Sequence, residues 1–141
     1  GSMILIEDIL EVHQFSIDKY GGSNGVRELG SLKSAIARPF QTFGGKFLYP
    51  GFLTRAGMLF YFMIKNHPFE NGNKRIAITT LFAFLFANNK WLIADIQELY
   101  NFTVWVAQSP PQFKDEVVKA IEKFLKTHIK EIKNLSVKDR I

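Results

Sequence analysis

The sequence contains no cysteine, which removes disulfide bridges, thiolate metal sites and cysteine nucleophiles together. It has no long apolar run either. The apolar uncharged stretch Ile76 to Asn89 covers 14 residues, short of the roughly 20 that a membrane-spanning helix needs. No basic segment leads into an apolar run and a small-residue cleavage site, so the expectation is a cytoplasmic protein without a membrane partner. Repeats, low-complexity tracts and Pro/Gly-rich linkers are also missing. Residues 3–141 therefore read as one domain, with Gly1-Ser2 ahead of Met3 resembling the scar of a cleaved tag.

What the chain does have is phenylalanine. Its 14 Phe outnumber the two Trp, four Tyr and three Met combined. The 18 Lys+Arg exceed the 13 Asp+Glu by five, a basic balance that brings a polyanionic partner into view. The excess is uneven: residues 112–141 carry eight basic and five acidic side chains, whereas residues 67–111 carry three of each. Lys119, Lys123, Lys126, Lys130 and Lys133 are spaced 4, 3, 4 and 3, which on a continuous helix lines them along one solvated face. No aromatic stacking pattern or recognition-helix motif accompanies them, so direct nucleic-acid binding is not expected.

Apolar spacing predicts an all-α domain of about six helices. Ile6 to Tyr20 is the first, ended by Gly21-Gly22. Ser31 is a candidate N-cap for a short helix from Leu32 to Ala37, stopped by Pro39. Leu53 to Asn66 and Asn73 to Asn89 are apolar enough to form two central helices, and Asp95 to Gln108 makes a fifth. Phe113, Val117, Ile121, Phe124, His128 or Ile129, Ile132 and Leu135 trace the stripe of a long final helix. Between Phe40 and Phe52, Gly44-Gly45 separates two short aromatic runs and reads as a hairpin flap. Trp91 and Trp105 are expected in the core, and His13 and His128 at packed or boundary positions.

The densest chemistry lies between the central helices, in His67-Pro68-Phe69-Glu70-Asn71-Gly72-Asn73-Lys74-Arg75. Polar groups between two apolar segments are costly unless satisfied, so their clustering marks a site. Lys74 and Arg75 occupy the first turn of a helix, where the dipole prefers carboxylates, so a bound anion accounts for them better than local stability does. Arg offers a bidentate fork and Lys a point charge to phosphate oxygens. His67 titrates near neutrality and suits a general base beside a phosphate. Pro68 and Phe69 are expected to anchor the loop. On these residues alone the chemistry is phosphoryl or nucleotidyl transfer.

This string resembles the Fic/Doc superfamily motif, His-Pro-Phe-x-(Asp/Glu)-Gly-Asn-(Gly/Lys)-Arg. Tyr20-Gly21-Gly22, Gly25-Val26-Arg27, Ala37-Arg38-Pro39, Thr42-Phe43-Gly44-Gly45 and Tyr49-Pro50 are similar to its death-on-curing (Doc) toxin branch, the likeness covering about residues 6–108. The resemblance implies a Fic/Doc-like helical bundle in which His67 deprotonates a target hydroxyl. It implies that Gly72 and Asn73 form an anion hole and that Lys74 and Arg75 hold nucleotide phosphates. The flap, Thr42, Phe43, Gly44, Gly45, Lys46, Phe47, Leu48 and Tyr49, is implied to pair with the target backbone. The substrate implied is ATP, with Mg²⁺ as its counterion.

Lys74 separates two reactions within that resemblance. AMP-transferring members typically carry glycine there, and often a second Arg three residues after the first, where this chain has Ile78. The Doc-like lysine implies transfer of the γ-phosphate, with elongation factor Tu as the family's target and a cognate antitoxin as partner. Asn71 departs from the family's acidic metal ligand: an amide carbonyl ligates a hard cation without charge, so weak metal binding or impaired catalysis is expected. The inhibitory pattern Ser/Thr-x-x-x-Glu-Gly/Asn is approached only at Thr127 to Ile132 and fails at Ile132.

Overall fold

The computed structural model describes residues 29–66 and 73–134. The expected first helix, with His13, and Arg27 lie outside the described residues. Five α-helices are present among those described: α1 (Leu29–Ala37), α2 (Phe52–Lys65), α3 (Asn73–Ala87), α4 (Ile96–Gln108) and α5 (Lys114–His128). Two small antiparallel sheets join them, β1 (Thr42–Phe43) with β2 (Lys46–Phe47) and β3 (Lys90–Leu92) with β4 (Ile129–Glu131). The architecture is the all-α bundle with a hairpin that the sequence predicts.

The bundle is organised around α2, which packs against α1, α3, α4 and α5. Its apolar residues leave no polar face, and the ten consecutive residues Arg55–Ile64 are buried. Gly57 faces α5 closely: a Cβ there would meet Glu122 Cγ at 3.5 Å and Ile121 Cγ2 at 3.6 Å. Thr54 on the same side hydrogen-bonds the Glu122 carboxylate. From α3, Phe84 is fully buried, edge-on to Phe40 at 5.5 Å and stacked on Phe52 at 5.3 Å. Offset and edge-to-face rings of this kind add to plain area burial.

Three local expectations are corrected. Ser31 lies inside α1, which begins at Leu29, so it is not the N-cap. The final helix stops at His128 rather than continuing to Leu135. Ile129 turns into β4, which pairs Lys90 with Glu131, Trp91 with Lys130 and Leu92 with Ile129. Backbone bonds from Ile93 to His128 and from Ile132 to Asn89 bracket the ladder, and Lys90 Nζ reaches Glu131 Oε1 at 3.0 Å. The lysine row consequently breaks: Lys119, Lys123 and Lys126 ride on α5, while Lys130 and Lys133 belong to the strand and the turn after it. Trp105 is the third correction. It is 49% exposed, stacked on Phe102 at the surface, whereas Trp91 is half-buried against Phe82.

The end of α3 explains how β3 starts where it does. Asn88 and Asn89 close the helix with bonds to Leu85 O and Phe86 O, and Asn89 takes the left-handed conformation (φ 61°) that Asn tolerates better than most residues. Half-buried His128 packs against the Phe124 ring and bonds the Phe124 carbonyl, the boundary role expected of it. No helix among the described residues is long and apolar enough to cross a membrane.

Because Phe84 joins α3 to both Phe40 and Phe52, Phe84→Ala is expected to lower unfolding free energy by roughly 3–5 kcal/mol. Phe86→Ala, on the exposed side of the same helix, should cost under about 1 kcal/mol. Urea denaturation of both variants measures the contrast.

Candidate functional site

The motif is divided by the two central helices. Helix α2 ends at Lys65, with Asn66 as its C-cap bonded to Phe62 O, and α3 opens at Asn73. His67, Pro68, Phe69, Glu70, Asn71 and Gly72 lie outside the described residues.

At that amino end Asn73 and Lys74 are half-buried and Arg75 is exposed. No acidic residue occupies the first turn of α3, so helix dipole and two cations act in the same direction. This donor set fits an anion. Among the described residues no group of three or more His, Cys, Asp or Glu could hold a metal ion. The amide of Asn71 is the residue in the motif that departs from a carboxylate.

Lys65 ties down the carboxyl end of α2. Its ammonium donates to Ala107 O at 3.2 Å and to Ser109 O at 2.5 Å. Ser109 in turn bonds Val106 O through both its backbone N–H and its hydroxyl. Lys65 thus satisfies carbonyls that the end of α4 leaves open, on the side of the dipole that favours a cation. Two residues before His67, the chain is tied to a second helix.

The flap is present where the sequence places it. Thr42 pairs with Phe47 and Phe43 with Lys46, and Leu48 N bonds Gln41 O at 2.8 Å. Gly44 and Gly45 form the two-residue turn with φ of 61° and 80°, the sign that a tight hairpin demands and that side chains resist. Phe43 is 85% exposed, Thr42, Lys46 and Leu48 are also exposed, and Phe47 and Tyr49 turn partly inward against the core.

Apolar spacing assigns Leu53 to Asn66 to a central helix but gives no role to Arg55 and Lys65, the two charged residues within it. The signal was available: a lone cation in a buried segment must find partners. Arg55 finds them in the flap. Arg38 lies over the Phe62 ring at 4.7 Å, opposite in sequence but joined there by Lys114 at 5.7 Å, which places it near the carboxyl end of α2. Burial pushes the Tyr61 phenol above its ordinary range, and the Asp115 carboxylate adds to the rise, so Tyr61 stays neutral at physiological pH.

Lys65→Met removes a charged donor from two carbonyls and is expected to cost about 1.5–3 kcal/mol, with Lys65→Arg recovering most of it. The midpoint and slope of urea unfolding read this directly.

Comparison with known proteins agrees with the motif and its helical setting. Residues 4–85, more than half of the chain, match the model of the Fic/DOC family. The protein called Toxin Doc from Mycolicibacterium smegmatis is 36% identical over 89 residues, which are 63% of this chain and 66% of that protein, just under two thirds of its length. With the motif following one core helix in sequence and running into the next, and the family match spanning both helices and the hairpin, the chain belongs to the Fic/DOC family.

Proposed function

We propose that this protein is a Doc-like toxin that transfers the γ-phosphate of ATP to a hydroxyl of a protein target, elongation factor Tu being the target the family implies, and so blocks translation. The observation that carries the reading is Lys74. A half-buried lysine stands in the first turn of α3 where AMP-transferring relatives have glycine, and Ile78 stands where they often have a second arginine. The likeness to a protein named Toxin Doc supports the toxin reading and a cognate antitoxin.

In this reaction the target hydroxyl oxygen forms a bond to the γ-phosphorus while its proton passes to an imidazole nitrogen of His67. The bond from the γ-phosphorus to the bridging oxygen breaks, and ADP leaves with that electron pair. Gly72 and Asn73 hold the developing charge, and Lys74 and Arg75 hold phosphate oxygens that would otherwise repel the incoming nucleophile. When bound, Mg²⁺ neutralises phosphate charge, and Asn71 is its weak candidate ligand. Restraint by a separate chain, the cognate antitoxin, belongs to this reading; Thr127 to Ile132 does not form one helix, since Glu131 sits in β4 and binds Lys90.

ATP labelled separately at the γ and α positions, incubated with the protein and a translation extract, tests the reading. Transfer of γ label alone to protein is expected. Transfer of α label makes the enzyme an AMP transferase instead, and ATP binding without either transfer makes it a nucleotide-binding module in which Asn71 has impaired catalysis. His67→Ala should lower transfer by about 10²- to 10⁴-fold, the usual contribution of a general base, without abolishing ATP binding. Asn71→Asp should raise turnover at limiting Mg²⁺, because a carboxylate restores charge to the ligand; an unchanged Mg²⁺ dependence removes Asn71 from the metal site.

A further inference from the structure

The hairpin of Thr42 to Phe47 has two residues in each strand, and a two-stranded ribbon of that size is marginal alone in water. Something outside it has to hold its shape. Beyond the ladder, Tyr49 and Pro50 present carbonyls with no strand partner, and Pro50 has no N–H with which to extend the pairing. Arg55, one turn into α2 and 6% exposed, supplies what is missing. Its Nη1 donates to Tyr49 O at 3.0 Å and to Pro50 O at 2.7 Å. The guanidinium also lies over the Phe47 ring, 4.4 Å from its centroid.

These three contacts join β2, the stem that follows it and the buried helix at one planar group. Among the described residues no carboxylate comes within ion-pair distance of Arg55, so carbonyl dipoles and a ring face are its partners there. A lysine ammonium can serve two carbonyls, as Lys65 does, but it has no plane with which to stack on the Phe47 ring at the same time. The residue type, its burial and its geometry therefore match one task, holding the flap stem at a fixed angle to α2.

We propose that Arg55 is a positioning residue that pins the flap in the form that receives a polypeptide backbone. Its effect on target use rests on the protein-directed transfer proposed above; the pinning itself does not. The exposed strand edges recruit the target by backbone pairing, and their register depends on Phe47, which Arg55 covers. Loss of the pin leaves nucleotide binding intact, because Lys74 and Arg75 sit on a different helix.

Two measurements on Arg55→Met test this, one independent of activity. In the folded variant the Leu48 amide, bonded to Gln41 O, is expected to exchange with solvent about tenfold faster or more, while amides in the middle of α2 keep their protection. With elongation factor Tu as acceptor, KM for the protein should rise about tenfold at unchanged ATP affinity. Arg55→Lys should fall between the two. Should Arg55→Met fail to fold, Arg55→Lys is read by the same criteria. Unchanged Leu48 exchange in a folded variant overturns the pin whatever the activity. Faster exchange with an unchanged KM overturns its role in target docking. Faster exchange in a protein whose wild type transfers nothing leaves the pin standing and removes the protein-directed transfer.

Discussion

Complete burial of α2 is the constraint on which the rest of the structure depends. A helix with apolar residues all round must be covered on every side, so four other helices are drawn to it. That burial also dictates the fate of the two cations it carries. Charge inside such a helix is tolerable only where it meets fixed dipoles, and both Arg55 and Lys65 meet backbone carbonyls from other elements. Arg55 draws in the flap stem near one end. Lys65 draws in the corner after α4 at the other, two residues before His67 in sequence. The ten-residue separation along the helix sets these attachments about 15 Å apart. One rigid rod thus spaces the hairpin stem from the corner after α4, and the physics that stabilises the core also sets that spacing.

The phenylalanine surplus fits the same scheme. Some rings fill the core in the ordinary way, Phe60 and Phe84 among them. Others serve as apolar platforms for cations: Phe47 under Arg55, Phe52 under Lys90, and Phe62 under both Arg38 and Lys114. Phe is a weaker platform than Trp, yet a desolvated site strengthens the attraction, and Phe62 is nearly fully buried. In a basic chain poor in tryptophan, such contacts help to hold cations in place, with the Glu131 carboxylate as a further partner for Lys90. Part of the net charge that first suggested a polyanionic partner is therefore structural. The cations at the start of α3 stand apart, since a helix amino terminus disfavours them unless an anion is near.

What the sequence made legible was local. Apolar runs gave α2 and α3 to within a residue or two at each end, Gly44-Gly45 gave the hairpin turn, and the His67–Arg75 string gave the family. Asp95 accepts from Glu98 N at the head of α4, as an N-cap should. The pairing of Lys90–Leu92 with Ile129–Glu131 was hidden because three-residue strands have too little alternation to read, and their partners lie about 40 positions apart. Ile129 and Ile132 also fit the helical stripe of α5, so periodicity favoured continuing the helix where tertiary pairing ended it. Trp105 misled for a different reason: hydrophobicity predicts average burial, and a ring stacked on Phe102 at the rim gains contact while keeping half its surface in water.

The same distinction governs how the site should be read. The motif identifies chemistry-bearing residues, but their usefulness depends on groups no motif contains. Arg55 and Lys65 lie outside the His67–Arg75 string, and each acts by holding backbone rather than by touching a nucleotide. A conservative exchange between arginine and lysine is not neutral for Arg55, because the group that bonds the two carbonyls must also lie flat over the Phe47 ring, which a planar guanidinium does and an ammonium does not. At Lys65 the requirement is weaker, since an ammonium already serves both carbonyls. The two cations of one helix therefore differ in what they demand: position and charge suffice at the loop end, whereas shape is needed at the flap end.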